Sequence, residues 1–488
     1  MAHLHKKIKR GHAYYYVRET QRIGGKPRVV NQVYLGSAER ILSVFLGKEQ
    51  GLPKSFSSKE FGSVFVLEQV DRQVDLASIV DQVVARRRSS DGPSGGELLV
   101  YAVINRAISP KSKRQLRHWY EKTDIQSIRP VRLEALNPQN FWNHWERIGK
   151  DELETIICEF FRRIHELYPC RGEHFLFDTT NFYTYLDSRT ASKLARRGHN
   201  KAGKHQLRQV GLALITERSS GLPVYFRLFP GNQHDSRFFD EHLDEIMAKL
   251  KDIGHGSGEL TLIFDKGMNS EGNISQIDQE PWLHFITSYS PHFTPELAGI
   301  PLKHFQVLPC KANERLVEKG FPQDQILYLD THGSFWGKER RVLITFNPRT
   351  FRKKLYELRE KIQRVRKELY ELRRNHREGS SHWQKPENIR AHYERLCESL
   401  HLNPRFYQLS FFTESGRPAM AFQLNRYQIQ AHIRRLAKVI LVTDHHSWTP
   451  TEIYEAYTDR HIIEDQFRTS KCPFHVAFMP QYHWTDSK

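Results

Sequence analysis

The chain of 488 residues carries 74 Lys and Arg against 56 Asp and Glu, a formal net charge of +18, with 39% apolar and 12% aromatic residues. That length accommodates roughly two to four ordinary domains, the apolar content excludes a disordered polycation, and the positive surplus points to a polyanion, either nucleic acid or an anionic membrane. No apolar run approaches the roughly 18 residues of a membrane span, and five scattered cysteines without a C-x-x-C pair exclude a disulfide framework or cysteine zinc site and fit a reducing cytoplasm.

Met1 to Arg10 is basic but lacks the apolar stretch of a secretory signal. Tyr14 to Val17 and Val29 to Leu35 read as strands around a Gly24-Gly25 turn. Region 1–60 holds twelve Lys/Arg against four Glu, and reads equally as a solvated basic hairpin or as a DNA-contacting module. Region 61–170 reads as mostly helical, a linking or DNA-binding segment. Ser94 caps one helix, Asn137-Pro138 opens another and Asp151 begins a third. Basic clusters lie at Arg86-Arg87-Arg88 and from Lys111 to Arg117.

From residue 171 to 290 the pattern turns to β-ββ-α-β-α-β. Phe175-Leu176-Phe177 ends in Asp178, and Leu260 to Phe264 ends in Asp265. Val210 to Thr216 and Pro223 to Phe229 form a hairpin, a helix spans about Ser236 to Lys251, and a last strand covers Leu283 to Tyr289. Region 291–445 has short strands around a helical hairpin, 350–402. Leu355, Leu358, Ile362, Val365, Leu369 and Leu372 make a seam with heptad spacing, better matched to a returning helix in the same chain than to a dimer zipper. Region 446–488 opens with a helix signature: Thr449 as cap, Pro450 at the first position and Glu452 completing a capping box.

On one uninterrupted helix at about 100° per residue, Tyr457, Arg460, Glu464 and Lys471 fall within an arc of about 60°. Such a stripe serves either as a surface ion-pair ladder or as a joint surface for a metal ion and a phosphate backbone. Phosphodiester chemistry needs an activated nucleophile and stabilised charge on attacking and leaving oxygens, which two divalent ions held by carboxylates supply. Asp178 and Asp265 at strand ends and Glu464 on a packed helix suit that task.

These blocks resemble bacterial insertion-sequence DDE transposases. Phe177-Asp178-Thr179-Thr180, Phe264-Asp265-Lys266-Gly267-Met268 and Tyr457-x2-Arg460-x3-Glu464-x6-Lys471 are similar to the family-four class with its YREK signature, and Ile463 to Lys471 looks like its sixteen-thirty-four-type branch. The resemblance implies an α/β fold: an RNase H-like core with a mixed five-stranded sheet, interrupted by an insertion corresponding to 291–445. It implies Asp178, Asp265 and Glu464 as catalytic and metal-binding residues for two Mg²⁺ or Mn²⁺ ions, and Tyr457, Arg460 and Lys471 as DNA contacts. It further implies hydrolysis at the ends of double-stranded transposon DNA, attack of the freed 3′-OH on target DNA, and two copies on paired ends, with no membrane association. In that setting the acid-free stretch from Ser188 to Thr216, with Arg196, Arg197, Lys201 and Lys204, reads as a segment that holds a DNA strand.

Members of this group continue past the last signature residue into a further apolar helix. Trp484 to Lys488 resembles the start of one, so a shortened end is expected. Two other functional readings remain: a binding protein derived from such an enzyme that no longer cuts, and another RNase H-like nuclease. Cys170-x3-His174 and His445-His446 do not make a four-ligand zinc set.

Overall fold

The computed structural model describes residues 1–47, 58–84, 92–170, 172–187, 189–200, 203–253 and 258–478. Arg86-Arg87-Arg88, Lys201 and the closing Trp484 to Lys488 lie outside them. The chain divides into two compact units, Met1–Phe61 with Lys122–Asp124, and Gly62–Glu121 with Ile125–Lys488.

The first unit is an antiparallel meander of β1 (Ala2–Lys9), β2 (His12–Ile23) and β3 (Lys26–Gly36), followed by α1 (Ala38–Phe45). Gly24 and Gly25 both have positive φ, the requirement of a two-residue hairpin turn that matches strand twist. Tyr16 and Tyr34 pack across the sheet with ring centroids 5.1 Å apart. The sequence reading placed two strands here; the basic start is a third, because its alternating residues pair with β2 from Ala2 to Lys9.

The second unit begins with α2 (Gly62–Val74), α3 (Leu76–Val83), α4 (Gly95–Ile108), α5 (Leu116–Lys122), α6 (Ile125–Ile128), α7 (Pro138–Trp145) and α8 (Lys150–Leu167). Ser94 and Glu97 form a reciprocal capping box on α4, and Asn137 caps α7 with Pro138 at its first turn.

Nine strands then form one mixed sheet: β4 (His174–Thr184), β5 (Arg208–Glu217), β6 (Pro223–Pro230), β7 (Leu260–Phe264), β8 (Leu283–Tyr289), β9 (Gln306–Val307), β10 (Leu327–Phe335), β11 (Lys338–Phe346) and β14 (Lys438–Thr443), in the order β6-β5-β4-β7-β8-β14-β11-β10-β9. β4, β7 and β8 are parallel, and the remaining neighbours are antiparallel. Alternate side chains serve two faces. On one face Phe175, Phe177, Leu262 and Phe264 join the core beneath α9 (Asp235–Ile253) and α10 (Glu271–Ile277). On the other, Leu176, Ile263, Ile286 and Leu441 meet Ile453, Ala456, Ile463 and Phe467 of α16 (Pro450–Thr458) and α17 (His461–Lys471).

The expected five strands are therefore one end of a nine-stranded sheet. β9, β10, β11 and β14, all from within 291–445, extend it, so that region is not wholly a separate insertion. β14 was not anticipated, although its Lys-Val-Ile-Leu-Val-Thr sequence is mostly β-branched and, apart from Val439, buried. β11 and β14 are antiparallel neighbours, closed at their base by the Asn347 amide donating to the Ala437 carbonyl (3.3 Å). Between these ends hangs a lobe of α13 (Pro348–Arg377), α14 (Pro386–Leu400), the hairpin β12 (Tyr407–Glu414) and β13 (Arg417–Leu424), and α15 (Arg426–Arg435). The short helices α11 (Pro295–Gly299) and α12 (Lys311–Glu318) precede it. Its core sets Leu358, Val365, Leu369 and Leu372 of the seam against Ile389, Tyr393 and Cys397 of α14. The heptad residues thus pack within the chain. Among the described residues no helix is long and apolar enough to cross a membrane.

Leu369 is fully buried in that core. Leu369→Ala is expected to cost about 2–5 kcal/mol, and hydrogen exchange should accelerate in α13 and α14 while amides of β4 and β7 keep their protection.

Candidate active site

The pairing of β4 with β7 sets the site. His174, Phe175 and Leu176 lie opposite Thr261, Leu262 and Ile263. The same register carried two residues further puts Asp178 and Asp265 in step. Both point to the face of Leu176 and Ile263, across strands about 4.8 Å apart. Asp265 directly follows β7 and caps a single 3₁₀ turn, Lys266–Met268. Asp178 is not at a strand end as the sequence suggested. β4 runs on to Thr184 because Thr179 to Thr184 pair with β5; what ends near Asp178 is the pairing with β7.

The face above these acids is covered by α16 and α17. Thr449 and Glu452 form the expected capping box, but the helix is not continuous. The Arg460 amide bonds Tyr457 O and the Ile462 amide bonds Asp459 O. These are i to i+3 contacts, and such a turn winds more tightly than an α-helix. The constant 100° step therefore fails between Thr458 and His461. Asp459 is held at this break by the Arg218 guanidinium, 2.8 Å away.

Arg460 occupies the buried stripe of the helix pair. Its Nη1 donates to the Tyr457 hydroxyl (3.0 Å) and stands 3.6 Å from Asp265 Oδ1, while Nη2 stands 3.6 Å from Asp178 Oδ2. The two 3.6 Å approaches are ion pairs, too long for hydrogen bonds. Its Nε is buried and, among the described residues, has no hydrogen-bond partner. Asp265 Oδ1 accepts from the Lys266 amide (2.8 Å), the Ser288 hydroxyl (3.1 Å) and the Tyr457 hydroxyl (3.3 Å). Asp178 Oδ1 accepts from the Thr179 amide (2.8 Å).

Burial pushes the Asp265 carboxyl upward, but the Arg460 guanidinium, the Lys266 amide and the Ser288 hydroxyl outweigh it and hold the group below the ordinary aspartate value. Burial likewise works against a charged Arg460, yet Tyr457, Asp178 and Asp265 keep it firmly protonated. Burial raises the Tyr457 hydroxyl, which stays neutral and can donate.

Lys471 also reaches the site face, donating to the Thr180 hydroxyl two residues beyond Asp178. Glu464 does not join the two aspartates. It is exposed, one turn after Arg460, and among the described residues no three His, Cys, Asp or Glu side chains form a group able to hold a metal. Asp178 and Asp265 supply the carboxylate oxygens that a hard cation prefers. Mg²⁺ binds through one or two carboxylates and retains waters, so this donor set fits an ion of that class without Glu464. A divalent ion held there would polarise a phosphate oxygen or lower the pKa of a bound water.

The basic segment after β4 is anchored rather than loose. Arg196 exchanges backbone hydrogen bonds with Gln209 (3.0 and 2.8 Å), Ala195 is buried, and the Asn181 amide donates to the His199 carbonyl (3.4 Å). Arg196 and Arg197 are exposed. Lys204 lies 5.4 Å over the Tyr183 ring.

Sequence reasoning missed Ser288, Arg218 and Gln466. Gln466 accepts from the Thr216 hydroxyl (2.8 Å) and donates to the Gly221 carbonyl, tying α17 to β5 and its turn. A serine between buried residues of β8 is a faint signal, and the other two show none.

With the geometry in place, the chain can be compared with known proteins. A family model described as "Transposase DDE domain" matches residues 169–477. No curated protein matches. Among solved structures, the chain is similar to the piggyBac transposase in a synaptic complex with hairpin DNA, at 12% identity over 58% of this chain and 57% of that one, TM-score 0.26. It is also similar to the Mos1 transposase in a paired-end complex with the left transposon end, at 13% identity over 54% and 75%, TM-score 0.17. The chain therefore spans 57% of the length of the first of these.

Replacing Arg460 by Gln removes the cation but leaves the burial. The Asp265 titration, followed by carboxyl carbon NMR, should move upward. A depressed carboxyl pKa contributes stability above the unfolded-state value, and that contribution is lost as pH falls through the folded value. Arg460→Gln should therefore acid-unfold at a higher pH than the parent; an unchanged acid midpoint and an unchanged Asp265 titration contradict the assigned pairing.

Proposed function

The chain belongs to the transposase DDE-domain family, and from that premise we propose that it cleaves DNA at transposon ends and joins them to target DNA, as an insertion-sequence enzyme of the family-four, sixteen-thirty-four-like type. The observation that carries the reading is the pair of in-register carboxylates facing a buried guanidinium whose Nε, among the described residues, has no hydrogen-bond partner. Asp178 and Asp265 are the residues that hold divalent metal, Mg²⁺ or Mn²⁺; Glu464, exposed and apart from them in the DNA-free chain, becomes the third carboxylate of the catalytic set only by turning inward once DNA is bound. Arg460, Tyr457 and Lys471 receive the phosphate: guanidinium and ammonium neutralise its charge, and the neutral phenol donates a hydrogen bond. Without DNA, Arg460 neutralises the acids; a phosphate arriving at its free donors competes for that charge.

In the first reaction water attacks phosphorus and the 3′ oxygen leaves as a hydroxyl. In the second, that hydroxyl attacks a target phosphodiester and displaces another 3′ oxygen, so the number of phosphodiester bonds is conserved. The strand order β6-β5-β4-β7-β8, with β5 reversed against a parallel trio, supports an RNase H-like core. Arg196, Arg197, Lys201 and Lys204 would track the DNA strand beyond the reacting phosphate, and two copies would act on paired ends.

The exposed position of Glu464 favours a second reading, a protein that binds transposon ends without cutting them. One experiment separates the two. Duplexes carrying the inverted repeats that flank the gene are incubated with protein and Mg²⁺, and nicks are mapped. Cleavage by the parent chain, lost about a hundredfold or more in Asp178→Asn and in Asp265→Asn with end binding retained, is the expected result. Binding without cleavage by the parent supports the second reading, and parent-like cutting by either variant refutes the assigned acids.

A further inference from the structure

The apolar seam of α13 is buried in its lobe, which leaves the opposite charge pattern to be explained. Between Arg352 and Glu378 there are eleven Lys/Arg. Among the described residues only Arg352 meets a carboxylate, that of Asp324. Arg359, Arg366, Arg373 and Arg377 are exposed and fall within an arc of about 40°. Steps of seven residues set the first three about 10.5 Å apart along the axis. Every cation in this stripe is an arginine; Lys353, Lys354 and Lys367 lie at other angles.

Beside the stripe lies a groove of about 720 Å³, lined by Arg366, Tyr370, Tyr407, Gln423, Asn425 and Arg426 among others. Aromatic rings brace the arginines. Arg366 Nη2 donates to the Tyr370 hydroxyl (3.3 Å), and the Arg373 guanidinium stands 4.9 Å over Tyr370 and 5.6 Å over Phe422. Guanidinium groups stacked on rings keep their in-plane donors for an anion.

We propose that this arginine stripe, with the adjoining groove, is a second DNA-binding surface that grips the phosphate backbone of duplex DNA away from the Asp178–Asp265 site. It rests on the reading of the chain as an enzyme acting on DNA. A row of cations repeating over about 27 Å matches a linear polyanion of regular charge. A membrane surface fits worse, because a helix lying on lipid inserts its apolar face and the apolar face of α13 is buried in protein.

The test is equilibrium binding to long duplex DNA in EDTA, where no cleavage occurs, as a function of salt. Removing three phosphate contacts in Arg359→Gln/Arg366→Gln/Arg373→Gln should reduce the slope of log K against log salt by about 2.7. Between about 50 and 200 mM salt, the parent should then lose about 40-fold more affinity than the variant. The single variant Arg359→Gln, which touches neither ring, should reduce the slope by about 0.9 and serves if the triple variant fails to fold. An unchanged slope overturns the proposal, as does an equal loss in Lys353→Gln/Lys354→Gln/Lys367→Gln, or tighter binding of the parent to phosphatidylserine vesicles than to DNA. A parent that does not cut while the arginine variants lose their slope would refute the catalytic reading alone.

Discussion

The structure turns on one buried cation. Arg460 sits where its helix pair packs on the sheet, and a guanidinium taken out of water without compensation costs several kcal/mol. Asp178 and Asp265 compensate it, each at 3.6 Å. That requirement, with the packing of Ile453, Ala456, Ile463 and Phe467, holds α16 and α17 over β4 and β7, and it keeps Asp265 ionised within a partly buried site. The ties on either side, Arg218 to Asp459, Gln466 to Thr216 and Lys471 to Thr180, fix the height and rotation of the same helices. The Asp265 carboxylate is thus presented already ionised, beside a guanidinium whose Nε, among the described residues, makes no hydrogen bond.

The sheet explains how such a site coexists with a large lobe. β11 and β14 are adjacent and antiparallel, so the chain can leave one and re-enter the other through a narrow base. The lobe carries its own core and adds no strand to the sheet. β14 then delivers the chain to Thr449, where the helices that cover the acids begin. A long excursion between neighbouring strands disturbs neither the register of β4 with β7 nor the packing of α16.

Local chemistry made much of the fold legible. The caps at Ser94, Asn137 and Thr449, the β-ββ-α-β-α-β order and the intrachain seam of α13 are governed by nearby residues, through side-chain oxygens that satisfy helix amides and through periodicity. Two features escaped for a shared reason. β14 is a short apolar run, and only its placement between β8 and β11 makes it a strand of the main sheet. The break at Asp459 is held by Arg218, more than two hundred residues earlier.

The sequence by itself determined which side chains are candidates for the chemistry: two aspartates each following an apolar run, and Tyr457, Arg460, Glu464 and Lys471 near the C-terminal end, in a chain with a strong positive surplus. These follow from residue type and spacing. Only the tertiary structure decided which of them meet. It put Asp178 and Asp265 in register, because strand pairing is set by distant partners. It buried Arg460 between them, because a sheet face needs a cover and that cover brings one cation with it. It left Glu464 exposed one turn beyond Arg460, because which side of α17 meets the sheet is set by the packing of Ile463 and Phe467 and not by residue spacing alone.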